Sequence, residues 1–483
     1  MSYLEALLVA EVAANGRAQR SAQLRHRHLT RRPLGLLCWQ LGAEPFTAAA
    51  VAWGFGPEKR DVVVAGEPRD RELAFRALGK VARSFNRWFE GGEDRGEPPQ
   101  IVVPNRGNLK LLGRLGRRLA FLSDRDGAAP DPELVRFGKH LLFLAERARC
   151  PGQQLVIVTT DLLATHWVTG LSELEVQSLS ALDAVIAPRK GVTLDQAVLE
   201  AERLEIGPLP GAKDDAEVEV LMQDFDAKRG RGERGRLVTD ARVVEPLLGP
   251  IKAHYERMVD RGWPLLWRCI DRERTVPEAP SVARRWAEDV AELDRHLGWV
   301  VVKSGRYRTR ATHVQAARRM ADWEKAQKRL EAEEIVEDPL RMVPCLLKHE
   351  AFEGKVVKVD LAPKETPGVR AVGRPLVWVE TEDECLMPEG KEVFWTRTPA
   401  AAAWLLDEIQ RTARGGSRLR LKRTSSSNPG AEPAVGEDVV FSVHSTAAEG
   451  YSAPLQQTPP WTHAKRVAGA GETIEEGDGR SWE

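Results

Sequence analysis

The period of the apolar residues changes along this chain, and that change limits the folds open to it. Between residues 1 and 200, short extended apolar runs alternate with amphipathic helical stretches. The extended runs are PLGLLCWQLG, FTAAAVAWG, DVVVAG, QIVVPN and QQLVIVTT. Among them, Leu73, Ala77, Leu78, Val81, Phe85, Trp88 and Phe89 recur at helical spacing, with Asp70 placed to cap the helix and Gly91 to end it. Asp131-Pro132 opens another helix in the same way. Strands alternating with helices predict a mixed or parallel α/β sheet covered by helices. Residues 201–240 turn to PLPGAKDDAEVEV and KRGRGERGR, which reads as a charged linker. Residues 241–340 read as helical and residues 341–463 as β. The tail 464–483 lacks a core-forming pattern and is expected to be disordered. The expected class is multidomain, α/β followed by α and then β.

In the central part, helices are predicted over Val244–Arg261, Pro264–Arg272, Ser281–Leu297 and His313–Ile335. The stretch WVVVKSGRYRTRA lies between the last two, and Ser304-Gly305 in it suits a hairpin turn. Helices closed by a basic-tipped hairpin resemble a winged-helix module. In the last part, GKVVKVDLA, RPLVWVETE and EVFWTR read as strands, TPAAAAWLLDEIQRTA as a helix, and SRLRLKRTS and EDVVFSVHS as strands. Five strands with a helix between the third and fourth resemble a small OB-like β-barrel, and an SH3-like barrel is the alternative.

The 483 residues carry 71 basic and 71 acidic side chains, so any nucleic-acid surface must be local. Cys38, Cys150, Cys269, Cys345 and Cys385 are scattered singly, which argues against a disulfide framework or a cysteine-based zinc site. The first residues read as an amphipathic helix and not as a signal peptide, and no apolar run is long enough to cross a membrane. A cytoplasmic location is the expectation. No Gly-Lys pair is followed by Ser or Thr, so a Walker A loop is absent, as are HExxH, GxSxG, EF-hand and kinase signatures.

One weak catalytic arrangement is present. Asp61 precedes a strand that ends at Glu67-Pro68-Arg69, and Asp161 follows another. Restriction-type nucleases hold Mg²⁺ with such carboxylates beside a Lys, which this pattern resembles with Arg69 in place of the Lys. Pro68 argues against strand pairing there, and polar strand ends are the competing reading. His26 and His28 stand among arginines, which suits a basic surface patch better than a metal pair.

Basic stripes are the recurring positive signal. Arg106, Lys110, Arg114, Arg117 and Arg118 fall about a turn apart on one predicted helix, opposite Leu109, Leu112, Leu115 and Leu119. Lys303, Arg306, Tyr307, Arg308, Arg310, Arg318 and Arg319 form a run without acids. The helix before that run carries Glu288, Asp289, Glu292 and Asp294, which would repel phosphates. The helix after it ends in Glu331, Glu333, Glu334 and Glu337, read as a solvated face. Alternation puts Trp378 opposite the valines of its strand, where it can stack a base.

These features lead to a non-enzymatic accessory protein that binds single-stranded DNA or RNA, without a cofactor. Its partners would be a separate helicase, NTPase or nuclease subunit, in bacterial genome maintenance or anti-phage defence. Two alternatives stay open: a Mg²⁺-dependent nuclease using Asp61, Glu67 and Asp161, and a protein–protein scaffold.

Overall fold

The computed structural model describes residues 3–42, 44, 46–91, 96–122, 130–202, 204, 206–232, 235–308, 310–365, 372–400, 403–413, 415–424 and 432–447. The tail 464–483 lies outside them, as does the loop segment 425–431.

The chain starts with α1 (Tyr3–Asn15) and a short strand β1 (Gln19–Arg20). Then come β2 (Leu34–Trp39), β3 (Ala50–Gly54), β4 (Asp61–Val64), α2 (Arg71–Glu90) and β5 (Ile101–Val103). Next are α3 (Arg106–Ala120), α4 (Pro132–Arg147) and β6 (Val156–Val158), which runs straight into α5 (Thr159–His166) and β7 (Trp167–Val168). The five apolar runs form one mixed sheet in the order β4-β3-β2-β5-β6. β3 is antiparallel to its neighbours β2 and β4, whereas β2, β5 and β6 run parallel. The expected caps form: the Asp70 side chain accepts from the Glu72 and Leu73 N–H groups, and that of Asp131 accepts from Glu133 N–H.

Both faces of the sheet are covered. Leu36, Val51 and Val103 meet Phe85, Leu115 and Phe137 from α2, α3 and α4 on one side. After α6 (Leu179–Ile186) and α7 (Leu194–Glu202), residues 201–240 are not a bare linker, because they contain α8 (Ala212–Arg229). Val218, Met222 and Phe225 recur at helical spacing beneath the charges and are buried on the second face. α9 (Ala241–Val244) leads to α10 (Gly249–Arg274), one helix running through Pro264 where two were expected. Its Trp263 and Trp267 share a core with Leu37, Trp39 and Val102. The boundary drawn at residue 200 therefore crosses a single core.

α11 (Val282–Leu297) continues into one π-helical turn, Gly298–Val302. The expected hairpin is absent, since no strand occurs among the described residues of 298–312. The valines extend the helix, and the chain then folds back on Trp299. Gly305 N–H donates to the Trp299 carbonyl at 2.8 Å, and Tyr307 packs edge-on against the Trp299 ring at 4.8 Å. The winged-helix expectation thus loses its wing.

α12 (His313–Glu337) and α13 (Pro339–Leu347) follow. The acidic end of α12 is not a solvated face. Asp338 accepts from the Gln23 and Leu24 N–H groups, Glu337 meets His26 at 3.1 Å, and buried Glu333 pairs with Arg285 at 3.0 Å. These acids clamp the strap 21–32 onto the domain. His26 is buried there, and His28 lies against Glu278 and Trp286, which corrects the basic-patch reading.

The last part is a closed barrel. Its strands are β8 (Ala351–Asp360), β11 (Leu376–Thr381), β12 (Glu392–Trp395), β13 (Trp404–Arg411), β14 (Ser417–Arg423) and β15 (Asp438–Ser442). A two-stranded ribbon, β9 (Lys364–Glu365) with β10 (Val372–Gly373), is set apart from it. The ring order is β11-β14-β13-β12-β15-β8, antiparallel throughout. The helix expected at TPAAAAWLLDEIQRTA is strand β13, because Trp404 and Leu406 alternate into the barrel core between β12 and β14. The described residues thus form six barrel strands without the helix that marks an OB order.

Candidate functional site

A groove of about 700 Å³ runs along β6, the outer strand of the sheet. Its first wall is α3. Arg106, Lys110, Arg114 and Arg117 recur on one exposed face of this helix, while Leu111, Leu112, Leu115 and Leu119 are buried on the other. Asn105 caps the helix through its side chain, which accepts from Asn108 N–H at 2.9 Å. The second wall is the end of α4 and the turn after it. A Cβ at Gly116 would meet Leu142 N at 2.7 Å, so only glycine lets α3 and α4 approach this closely. That approach brings Leu142, Glu146 and Arg149 opposite the α3 stripe. The floor is β6. The Gln153 side chain donates to the Val156 carbonyl at 2.8 Å and accepts from Val156 N–H at 3.1 Å, which satisfies both backbone groups of Val156.

Six basic side chains line the groove: Arg27, Arg106, Lys110, Arg114, Arg117 and Arg149. Among the described residues, two carboxylates do, Glu146 and Asp161. Both are already engaged, Asp161 by Arg106 at 2.8 Å and Glu146 by Arg319 at 3.8 Å. Among the described residues, Lys110 and Arg149 form no ion pair. Arg27 is delivered by the clamped strap, and its guanidinium donates to the His26 carbonyl at 3.0 Å rather than to a carboxylate. Burial pushes its pKa down, against the more distant pull of Glu334, Asp289 and Asp161. A desolvated cation of this kind gains from an anion beside it. Arg118 departs from the stripe: it lies over the Phe75 ring at 5.4 Å and reaches Thr47, away from the groove.

The second basic run joins this surface at one end. Arg319 reaches the rim through Glu146. Arg306 stands close enough to depress the pKa of Lys139, whose lowering comes first from burial and then from Arg306 and Arg136. Lys139 precedes Leu142 and Glu146 on the same face of α4. Lys303, Arg308, Arg310 and Arg318 are exposed. Tyr307 is not a surface contact, because its ring packs on Trp299 and its hydroxyl meets His296. The acids of α11 also differ from expectation. Asp289 is buried and accepts from Arg147 at 2.8 Å and from Gln154 N–H at 2.7 Å, so it braces the rim from within.

Asp61, Glu67 and Asp161 are not brought together. β4 and β6 are opposite edges of the sheet, about 19 Å apart at four strand spacings. Glu67 is buried, and both of its oxygens are taken by the Arg69 guanidinium at 2.8 and 2.7 Å. Two groups with metal-ligand chemistry occur elsewhere among the described residues, Cys345 with Glu350 and His444, and Asp214 with Glu217 and His254. On the barrel, Trp378 is outside the core as alternation predicts, with the Lys358 ammonium over its ring at 4.4 Å, whereas Trp395 and Trp404 are buried. No known family matches the sequence, and neither a curated protein nor a solved structure is significantly similar to it.

Proposed function

We propose that this protein is a non-enzymatic, cytoplasmic accessory subunit that holds single-stranded DNA or RNA in the groove along β6. It works beside a separate helicase, NTPase or nuclease, in a setting such as bacterial genome maintenance or anti-phage defence. The observation that supports this reading is the six-to-two excess of basic over acidic side chains, among the described residues, in one groove of a chain with no net charge. The spacing along α3 suits a phosphate backbone, and the Arg306–Arg319 region extends the track past the α4 end. Trp378, outside the barrel core, offers a surface on which a base can stack. The dispersed carboxylates Asp61, Glu67 and Asp161 lend no support to Mg²⁺-dependent cleavage.

The test is fluorescence anisotropy with labelled single-stranded DNA and RNA over a range of salt. Log affinity should fall linearly with log salt concentration, and Lys110→Ala and Arg149→Ala should each flatten the slope by about 0.7. No binding at low salt, or an unchanged slope in the double variant, refutes the groove as the contact.

A further inference from the structure

Cys345, Glu350 and His444 come from three separate places in the fold, and backbone hydrogen bonds fix them side by side. α13 ends in a turn in which His349 adopts φ +57°. The turn lets Glu350 N–H donate to the Cys345 carbonyl at 2.8 Å. Val443 N–H then donates to the Glu350 carbonyl at 3.0 Å, and His444 N–H to the Ser442 hydroxyl at 3.0 Å. Three ligand atoms therefore converge, all within 4.8 Å of one another. The Cys345 Sγ lies 3.7 Å from His444 Nε2, and Nε2 lies 3.9 Å from the Glu350 carboxylate.

These separations suit one particular coordination. A tetrahedral ion bound at about 2.3 Å to sulfur and about 2.0–2.2 Å to nitrogen and oxygen separates sulfur from nitrogen by about 3.6 Å, and nitrogen from oxygen by about 3.4 Å. A thiolate, an imidazole and a carboxylate select a borderline-soft ion, whereas Mg²⁺ and Ca²⁺ take oxygen ligands. A thiolate and a carboxylate also balance the charge of a divalent cation. Cys345 is buried, whereas Glu350 is exposed and His444 partly exposed, so water can reach the group. Lys348 is the cation acting on both Cys345 and His444, and on each it acts less than Glu350 does. The other cluster is poorer. Arg257 sits 3.2 Å from His254 Nδ1 and Arg261 3.3 Å from Asp214, so two guanidiniums already occupy the positive role.

We propose that Cys345, Glu350 and His444 bind one zinc ion, with water as the fourth ligand, where α13 meets the first and last strands of the barrel. Zinc replaces the thiol proton on binding, so affinity falls as pH falls. The ion joins residues 99 positions apart, and its loss loosens the barrel from the helices rather than unfolding either.

The test uses the full chain after dialysis against a chelator and titrates it with Co²⁺ as a spectroscopic stand-in for Zn²⁺. One equivalent should give visible bands of tetrahedral cobalt and a near-ultraviolet thiolate-to-cobalt charge-transfer band, reversed by Zn²⁺. Cys345→Ser should abolish the charge-transfer band, and His444→Ala, at a partly exposed position, should weaken binding at least tenfold. Circular dichroism of the variants should match the wild type. Absence of the charge-transfer band in the wild type overturns the proposal, as does a band that survives Cys345→Ser.

Discussion

A buried chain of hydrogen bonds makes the stability of this protein sensitive to acid. His140 Nε2 donates to Glu90 at 2.7 Å, which leaves His140 Nδ1 as an acceptor. His296 Nε2 donates to it across 2.9 Å, and His296 Nδ1 accepts from the Tyr307 hydroxyl at 3.4 Å. With both rings neutral and in these tautomers, every donor in the chain has its acceptor. A proton on His140 Nδ1 would set two N–H groups against each other. Burial pushes His296 down to about 3, with His140 and Lys139 adding in the same direction. Burial also lowers His140, against the opposing pull of Glu90. In the unfolded chain a histidine titrates near about 6.5, so the unfolded state takes up the proton first. The stabilisation is complete above about pH 6.5 and drains away as the pH falls toward the folded value. Between pH 7 and pH 5 the His296 share amounts to about 1.5 units at about 1.4 kcal/mol each, or about 2 kcal/mol. His296→Phe removes this titration and keeps the stack on Phe143, now 4.0 Å between ring centres and 7° from parallel. The variant should be less stable by about 1–3 kcal/mol at pH 7, because His140 Nδ1 loses its donor. In urea denaturation followed by tryptophan fluorescence, the wild type should lose about 2 kcal/mol more than the variant between the two pH values. Equal losses would refute the neutral-pair argument.

Two further perturbations probe the parts that hold the groove and the basic run. Asp289→Asn leaves the Arg147 guanidinium without its buried carboxylate and should cost about 3–5 kcal/mol in the same denaturation assay, whereas a loss below about 1 kcal/mol would show that the rim is held by other contacts. Gly305→Ala drives a methyl group into the Trp299 ring, so limited proteolysis should cut residues 303–312 faster than in the wild type, and an unchanged rate would show that the fold-back on Trp299 is not what orders that segment.

Local signals in the sequence were legible where one helix or strand decided the outcome. The caps at Asp70 and Asp131, the five apolar strands, the exposed face of α3 and the outward Trp378 all follow from spacing within a single element. The errors share a different cause. Val218, Met222 and Phe225 hold α8 in the core, but acidic and basic neighbours made its composition read as a linker. Val300–Val302 have β-branched side chains that suggest a strand, yet the preceding helix and the Trp299 ring decided their conformation. The alanine-rich run before Trp404 favoured a helix, and the neighbouring strands imposed period two. Asp289, Glu333 and Glu337 read as surface charge because their partners Arg147, Arg285 and His26 are far away in sequence. The groove was half visible for the same reason: the α3 stripe lies in one segment, whereas Arg27 and Arg149 join it only through the strap and the turn after α4. The Cys345–Glu350–His444 group spans the whole barrel, and scattered single cysteines gave no sign of it.

The amide of Gln153, folded against Val156, has a consequence for how the groove reads its ligand. It does the work of a missing neighbouring strand. The sheet therefore cannot be lengthened there by a second copy of the chain or by an extended peptide unless this side chain swings away. A ligand in the groove meets a floor with those two backbone groups already spoken for, so its grip comes from cations on the walls. Under the function proposed above, such a grip would register charge and its spacing and would be indifferent to the order of the bases.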